Sequence, residues 1–184
     1  FPILERHHGE LIASSTSMQT TYQEWQEWRA AGGEASCQDC HMPEGRHDFH
    51  GANHRPLLHK SVQIGVSLKD GEVLFRLSTS GVGHNVPSGD LFRHLSLDLF
   101  IKDAWQEKEY IGRTFALRRE ENRVYKRMIS DTSIRPGETR TYRKQVLPGT
   151  AWRLVYHYGS KVDEARALLP TSVLTEVLAE GRVP

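Results

Sequence analysis

The chain has 184 residues, 24 basic and 23 acidic side chains, a formal net charge of +1 and a pI near 8.0. That length is enough to bury a real core, and the near-balance of charge gives no reason to expect nucleic acid or an anionic membrane as partner. No apolar run reaches the roughly 18 residues that a membrane helix needs, and the opening at Phe1-Pro2 shows no charged and apolar leader pattern.

From Ser17 to Ala31 the residues Met18, Tyr22, Trp25 and then Trp28 or Arg29 recur every three or four positions, which predicts a helix with an aromatic face. Ser17 or Thr20 is a candidate cap, Glu24 falls in the first turns, and Gly32-Gly33 would stop the helix. The plain role for Trp25 and Trp28 is core packing.

The next stretch, Cys37-Gln38-Asp39-Cys40-His41, uses both cysteines of the chain. Two thiols separated by two residues and followed at once by an imidazole form the covalent attachment signature of a c-type haem. Each thiol adds to one vinyl group at the porphyrin edge, and His41 then lies under the iron as proximal ligand. A structural zinc site, a redox dithiol and a plain disulfide are the alternatives. Zinc is the strongest of them, because His47, His50 and His54 follow closely, but the immediate Cys-His junction does not fit the usual zinc-finger layout. Ten histidines are present, and seven of them fall between His7 and His59, as a haem module would have it.

Near Leu57 the period changes. Val62–Leu68 alternates, Lys69–Glu72 is a hairpin turn, and Val73–Thr79 alternates again. Further strands are expected at Leu95–Ile101, Tyr110–Ala116, Asn122–Ile129, Thr139–Val146 and Trp152–Tyr158, and helix is expected at Val162–Leu169 and Thr171–Ala179 around Pro170. The fold class is therefore α+β: a small helical, irregular haem module at 1–56, an antiparallel β-sandwich of about seven to eight strands, Ig-like, at 57–160, and a helical tail at 161–184.

Several segments together resemble multihaem c-type cytochromes of exported bacterial electron-transfer systems. They are Thr20–Trp25, the run Cys37–Pro43, His47–Gly51, the loop Gly83–Gly89 with Arg93, and Asp131-Thr132 with Pro136–Glu138. The resemblance implies a haem-bearing helical part followed by a β-sandwich, and one covalent haem c as cofactor. It also implies an exported protein, periplasmic or at the cell surface, with other c-type cytochromes as redox partners in a complex, homo-oligomer or filament. Relatives of this kind carry further haem motifs upstream, whereas this chain carries one: either it is a monohaem descendant or the upstream haems sit on another chain or a missing segment, and its redox partners are expected outside the chain.

The sixth iron ligand decides between electron transfer and ligand chemistry. Met42 adjoins the proximal histidine and cannot cross the ring, while Met18 and Met128 are expected to pack. His84 is the first choice: it sits in a loop where Gly83 and Gly89 permit close approach and Pro87 stiffens the chain. A plain turn hydrogen bond is its other role. His47 is the second choice, or a ligand to a neighbouring haem. His50, His54 and His59 follow with less support, His7 and His8 are candidates toward a haem on a partner chain, and His94 and His157 are expected to be structural.

Arg93 is a candidate to pair a haem propionate, with a surface ion pair to Asp90 or Asp98 as the alternative. Trp25 is placed beside the porphyrin, since core and haem pocket nearly coincide in so small a module. No pairing of acid and base residues marks a substrate pocket. An electron carrier is thus the leading expectation, and a haem enzyme or sensor of peroxide, nitrogen oxides or gases is the alternative.

Overall fold

The computed structural model describes residues 2–120, 123–160 and 171–184. Among them, ten strands form two antiparallel sheets. The strands are β1 (Pro2–His7), β2 (Glu10–Ser17), β3 (Gln63–Lys69), β4 (Glu72–Ser78), β5 (His94–Ile101), β6 (Ala104–Glu120), β7 (Arg123–Asp131), β8 (Thr139–Lys144), β9 (Ala151–His157) and β10 (Thr175–Arg182). The larger sheet runs β10-β9-β5-β6-β7-β1-β2 and the smaller β3-β4-β8.

All seven strands expected between residues 57 and 160 form. The β3–β4 hairpin closes on Asp70 and Gly71, both at positive φ (53° and 79°), as a two-residue turn of the twist-compatible kind demands. These seven strands divide three against four, the immunoglobulin count, but with different neighbours. The sixth of them, β8, joins the first two, β3 and β4, whereas in an immunoglobulin domain it would pair in the other sheet.

The sheets face one another over a single apolar core. Val73, Phe75 and Leu77 of β4 point toward Leu95, Leu97 and Leu99 of β5 and Leu154 of β9, all seven with 0% exposure. Phe75 meets Trp152 edge to face, with ring centroids 6.0 Å apart. On β5 the intervening residues His94, Ser96 and Asp98 are buried too. That central strand is covered on both sides: Ser96 Oγ pairs with His157 Nε2 at 2.9 Å, Asp98 accepts from Arg153 at 2.9 Å, and the Arg153 guanidinium lies over the Trp105 ring.

Both ends of the chain depart from the expected organisation. Residues 2–17 are not part of a helical module but a hairpin, turning at His8 and Gly9 and joining β7 through Arg6 opposite Val124. The expected helical tail is a single helical turn at Thr171–Leu174 followed by β10, and Val162–Leu169 lies outside the described residues. The apolar spacing of Val173, Leu174, Val177 and Leu178 suits a helix, but the free edge of β9 offers a full ladder of backbone partners. A register shift between Val177 and Ala179 hides the strand alternation.

Three helices lie between the hairpin and the sandwich: α1 (Thr21–Ala30), α2 (Cys37–His41) and α3 (Arg55–Lys60), with a 3-10 turn at Pro43–Gly45. Gly32 at φ 100° ends the α1 region, as expected. Leu58 of α3 enters the main core, and Glu176 of β10 accepts from His59 at 2.9 Å and pairs Arg55 at 3.2 Å, so the helical part is fastened to the sandwich. No helix among the described residues is long and apolar enough to cross a membrane. Truncating the centre of the core by Phe75→Ala is expected to lower unfolding free energy by about 3–5 kcal/mol, read as a lower urea midpoint at an unchanged slope.

Candidate haem site

Ser36 starts the attachment segment with a reciprocal cap. Its hydroxyl accepts from the Asp39 N–H at 3.3 Å, and its own N–H donates to the Asp39 carboxylate at 2.6 Å. That backbone donor holds the Asp39 carboxyl below the usual carboxylate range. The cap winds Cys37–His41 into one helical turn, on which residues three apart share a face. Both cysteines are free thiols and exposed. Among the described residues no three His, Cys, Asp or Glu side chains converge to hold a metal ion, so Cys37, Cys40 and the histidines at 47, 50 and 54 do not assemble as a zinc shell.

After the turn the chain doubles back. The His50 N–H donates to the His41 carbonyl at 2.7 Å, and the His41 Nδ1 lies 2.5 Å from the His50 carbonyl oxygen. A carbonyl only accepts, so Nδ1 of His41 carries a proton, and in the neutral ring Nε2 is the nitrogen that keeps its lone pair. Phe49 stacks on the His41 ring at 4.7 Å and an interplanar angle of 14°, bracing the imidazole.

The loop between β4 and β5 brings His84 to this place. Its ring lies 6.0 Å from that of His41, centroid to centroid, with only 11° between the planes. His84 is tied off in the same manner, Nδ1 donating to the Asn85 carbonyl at 2.9 Å. Burial pushes its pKa below the usual histidine value, against the hydrogen bond to the Asn85 carbonyl and the charge of Glu24, which favours the neutral ring.

Two imidazoles on opposite sides of one metal ion, each about 2 Å from it, have their centroids about 6 Å apart. The spacing and the backbone acceptors at both Nδ1 atoms are those that two imidazoles sharing one iron would have, and the near-parallel planes are those of a stacked ring pair. Two thiols on the adjoining turn complete the donor set for haem c.

The loop carrying His84 is fixed along its length. The Val86 N–H donates to the Ile134 carbonyl at 2.9 Å and the Val86 carbonyl accepts from the Ile134 N–H at 2.8 Å, joining the loop to the sandwich core. Gly83 lies against the Trp28 ring of α1, where a Cβ would sit only 3.0 Å from the ring carbons. Arg113 of β6 donates to the Gly89 carbonyl at 2.6 Å.

The remaining expected residues fall in different places. Trp25 donates from its indole N–H to the Ala35 carbonyl at 3.0 Å, pinning α1 to the segment before the attachment turn. The aromatic side chain that touches the His84 loop is Trp28. Arg93 packs on Gly89 and hydrogen-bonds the Tyr156 phenol, whose pKa burial pushes up to about 12. The alternative partner Asp98 is occupied by Arg153. His47 is exposed. His50 and His54 stack on each other at 3.9 Å, with His50 also 3.3 Å from Asp48. His94 stacks between Tyr110 and His157 in the sandwich. Sequence reading missed the His50 carbonyl; it placed Trp28 on the aromatic face of the helix and Phe49 in the segment after the attachment motif, but their contacts with Gly83 and His41 come from packing that no sequence pattern shows.

No protein-family model and no curated protein sequence matches the chain. Among solved structures it resembles the crystal structure of a penta-haem cytochrome c552 from Thermochromatium tepidum, with a TM-score of 0.61 and 20% identity over 86% of this chain. The fold is shared with a multihaem cytochrome. The match takes in 50% of that protein, so this chain spans about half its length. The likeness is one of fold, at an identity too low to carry residue roles across.

Giving Gly83 a methyl group drives it into the Trp28 ring. Gly83→Ala is expected to destabilise by about 1–3 kcal/mol, measured by thermal or urea unfolding, whereas the same change at the open Gly51 leaves the midpoint within about 0.5 kcal/mol.

Proposed function

We propose that this chain carries one haem c, bound through thioethers to Cys37 and Cys40 with His41 and His84 as axial ligands, and that it transfers electrons within an exported redox chain. The observation that carries the reading is the facing pair of imidazoles, 6.0 Å apart and both anchored at Nδ1. When bound, the haem supplies a one-electron ferric/ferrous couple.

The chain's own residues hold that couple. The backbone acceptors of His41 and His84 hold Nδ1 of each ring as a donor, which would leave each Nε2 as the nitrogen to meet the metal. Two imidazole ligands leave no coordination position for peroxide or a gas, which favours a carrier over an enzyme or sensor. Trp28 and the loop from Gly83 to Gly89 restrict water on the His84 side. The sandwich serves as the support that presents His84, and its far surfaces are available for docking.

One attachment motif lies in a stretch that spans half of a penta-haem protein's length, and in this proposal its redox partners are haems outside that stretch. In this proposal they are other c-type cytochromes, met in the periplasm or at the cell surface, with assembly into a complex, oligomer or filament.

The holoprotein is expected to show a low-spin spectrum in both redox states and no change on adding carbon monoxide to the reduced form. His84→Ala is expected to turn it high-spin and carbon monoxide-binding; a low-spin, carbon monoxide-inert His84→Ala protein would refute the ligand assignment. Replacing Cys37 and Cys40 together by Ala should abolish covalent haem, seen as an intact mass equal to that of the polypeptide alone.

A further inference from the structure

Glu24 is the one buried residue of α1, at 9% exposure, and a carboxylate there has to be justified by its partners. Its Oε1 accepts from the Thr20 hydroxyl at 2.6 Å. Its Oε2 accepts both the Asn85 N–H, at 3.1 Å, and the Ser88 hydroxyl, at 2.6 Å. One oxygen atom thus holds two points of the loop, one next to His84 and one four residues beyond it.

The network continues outward in a fixed order. Because Ser88 gives its proton to Glu24, it accepts from Thr21 at 2.7 Å. Because Thr20 also gives its proton to Glu24, it accepts from the buried Arg113 guanidinium at 3.3 Å, whose other arm holds the Gly89 carbonyl. A buried cation and a buried anion are thereby linked through one hydroxyl, and both grip the same loop.

Two peptide groups flank Asn85, and each has its own anchor. The peptide before it is held by Glu24 through the Asn85 N–H. The peptide after it is held by Ile134 through the Val86 N–H, and its carbonyl is the acceptor for His84 Nδ1. The sandwich therefore sets one plane and α1 the other. Without the Glu24 contact, the backbone torsion that aims the His84 ring has a single support.

We infer that Glu24 is a positioning residue for the distal ligand, its carboxylate locking the His84 loop onto α1 so that His84 stays on the iron. The inference rests on the reading of His84 as axial ligand. Its consequence is kinetic as well as structural: the distal side stays closed only while the tether holds, and loosening it lets an external ligand compete with His84. Glutamine retains an oxygen acceptor for Asn85 and Ser88 and can donate to Thr20, so it preserves the tether, while alanine removes it.

The test compares carbon monoxide binding to the reduced holoproteins of wild type, Glu24→Ala, Glu24→Gln and His84→Ala, each checked for covalent haem and a native thermal transition. The expected order is no detectable binding in wild type, binding in Glu24→Ala at a rate at least tenfold above the detection limit that wild type sets, near-wild-type inertness in Glu24→Gln, and full binding in His84→Ala. Where Glu24→Ala does not yield folded holoprotein, Ser88→Ala takes its place, since it removes one of the two loop donors, and is likewise expected to bind above that limit. If His84→Ala binds and the tether variant remains as inert as wild type, the positioning role is overturned while the ligand assignment stands. If His84→Ala is itself inert and low-spin, the ligand assignment falls and the role of Glu24 falls with it.

Discussion

A carboxylate removed from water has to collect donors, and the donors that Glu24 collects belong to a loop some sixty residues away in sequence. Much of the site's geometry follows from that requirement. Asn85 and Ser88 are drawn to α1, Trp28 one turn further along the helix closes over Gly83, and His84 is left opposite His41. The helical part and the sandwich are therefore joined through polar groups at the point where the chemistry is expected, rather than through the apolar core, which α3 reaches separately with Leu58.

The two imidazoles arrive by different routes. His41 is local: Ser36 caps the turn, the chain returns nine residues later, and the His50 carbonyl fixes the ring. His84 is non-local: the β4–β5 connection leaves one sheet for the other, and the Val86 bridge to Ile134 holds it in transit. A side chain on a sheet-to-sheet crossing is anchored to both sheets, and in the proposed site this would constrain His84 more than a free loop would. The module alone offers His41 and the thiols but no second imidazole aimed at them.

Strands with strong alternation and clear turns, such as Gln63–Lys69 with Asp70-Gly71 and Glu72–Ser78, were legible because the pattern is set by neighbours within a few residues. The ends of the chain were not. β10 carries a helix-like spacing and a bulge, and β1–β2 joins β7 at a register that no local pattern encodes. Strand pairing energies at an available sheet edge exceed such weak local preferences. The same distinction separates Trp25 from Trp28: both occupy the aromatic face of α1, and only the approach of Gly83 shows which of them meets the loop.

By itself the sequence nominated the attachment chemistry, because Cys37, Cys40 and His41 share a single helical turn at the spacing that thioether attachment to one porphyrin edge would need. It also nominated His84 through the glycines and proline that shape its loop. Only the tertiary structure decided that His84, and not His47 or His50, faces His41. That choice depends on a buried carboxylate, a crossing between two sheets and a backbone bridge, each of which joins residues from distant parts of the chain. Contacts of that kind leave no periodic trace in a sequence, since burial and hydrogen-bond satisfaction are properties of the packed whole.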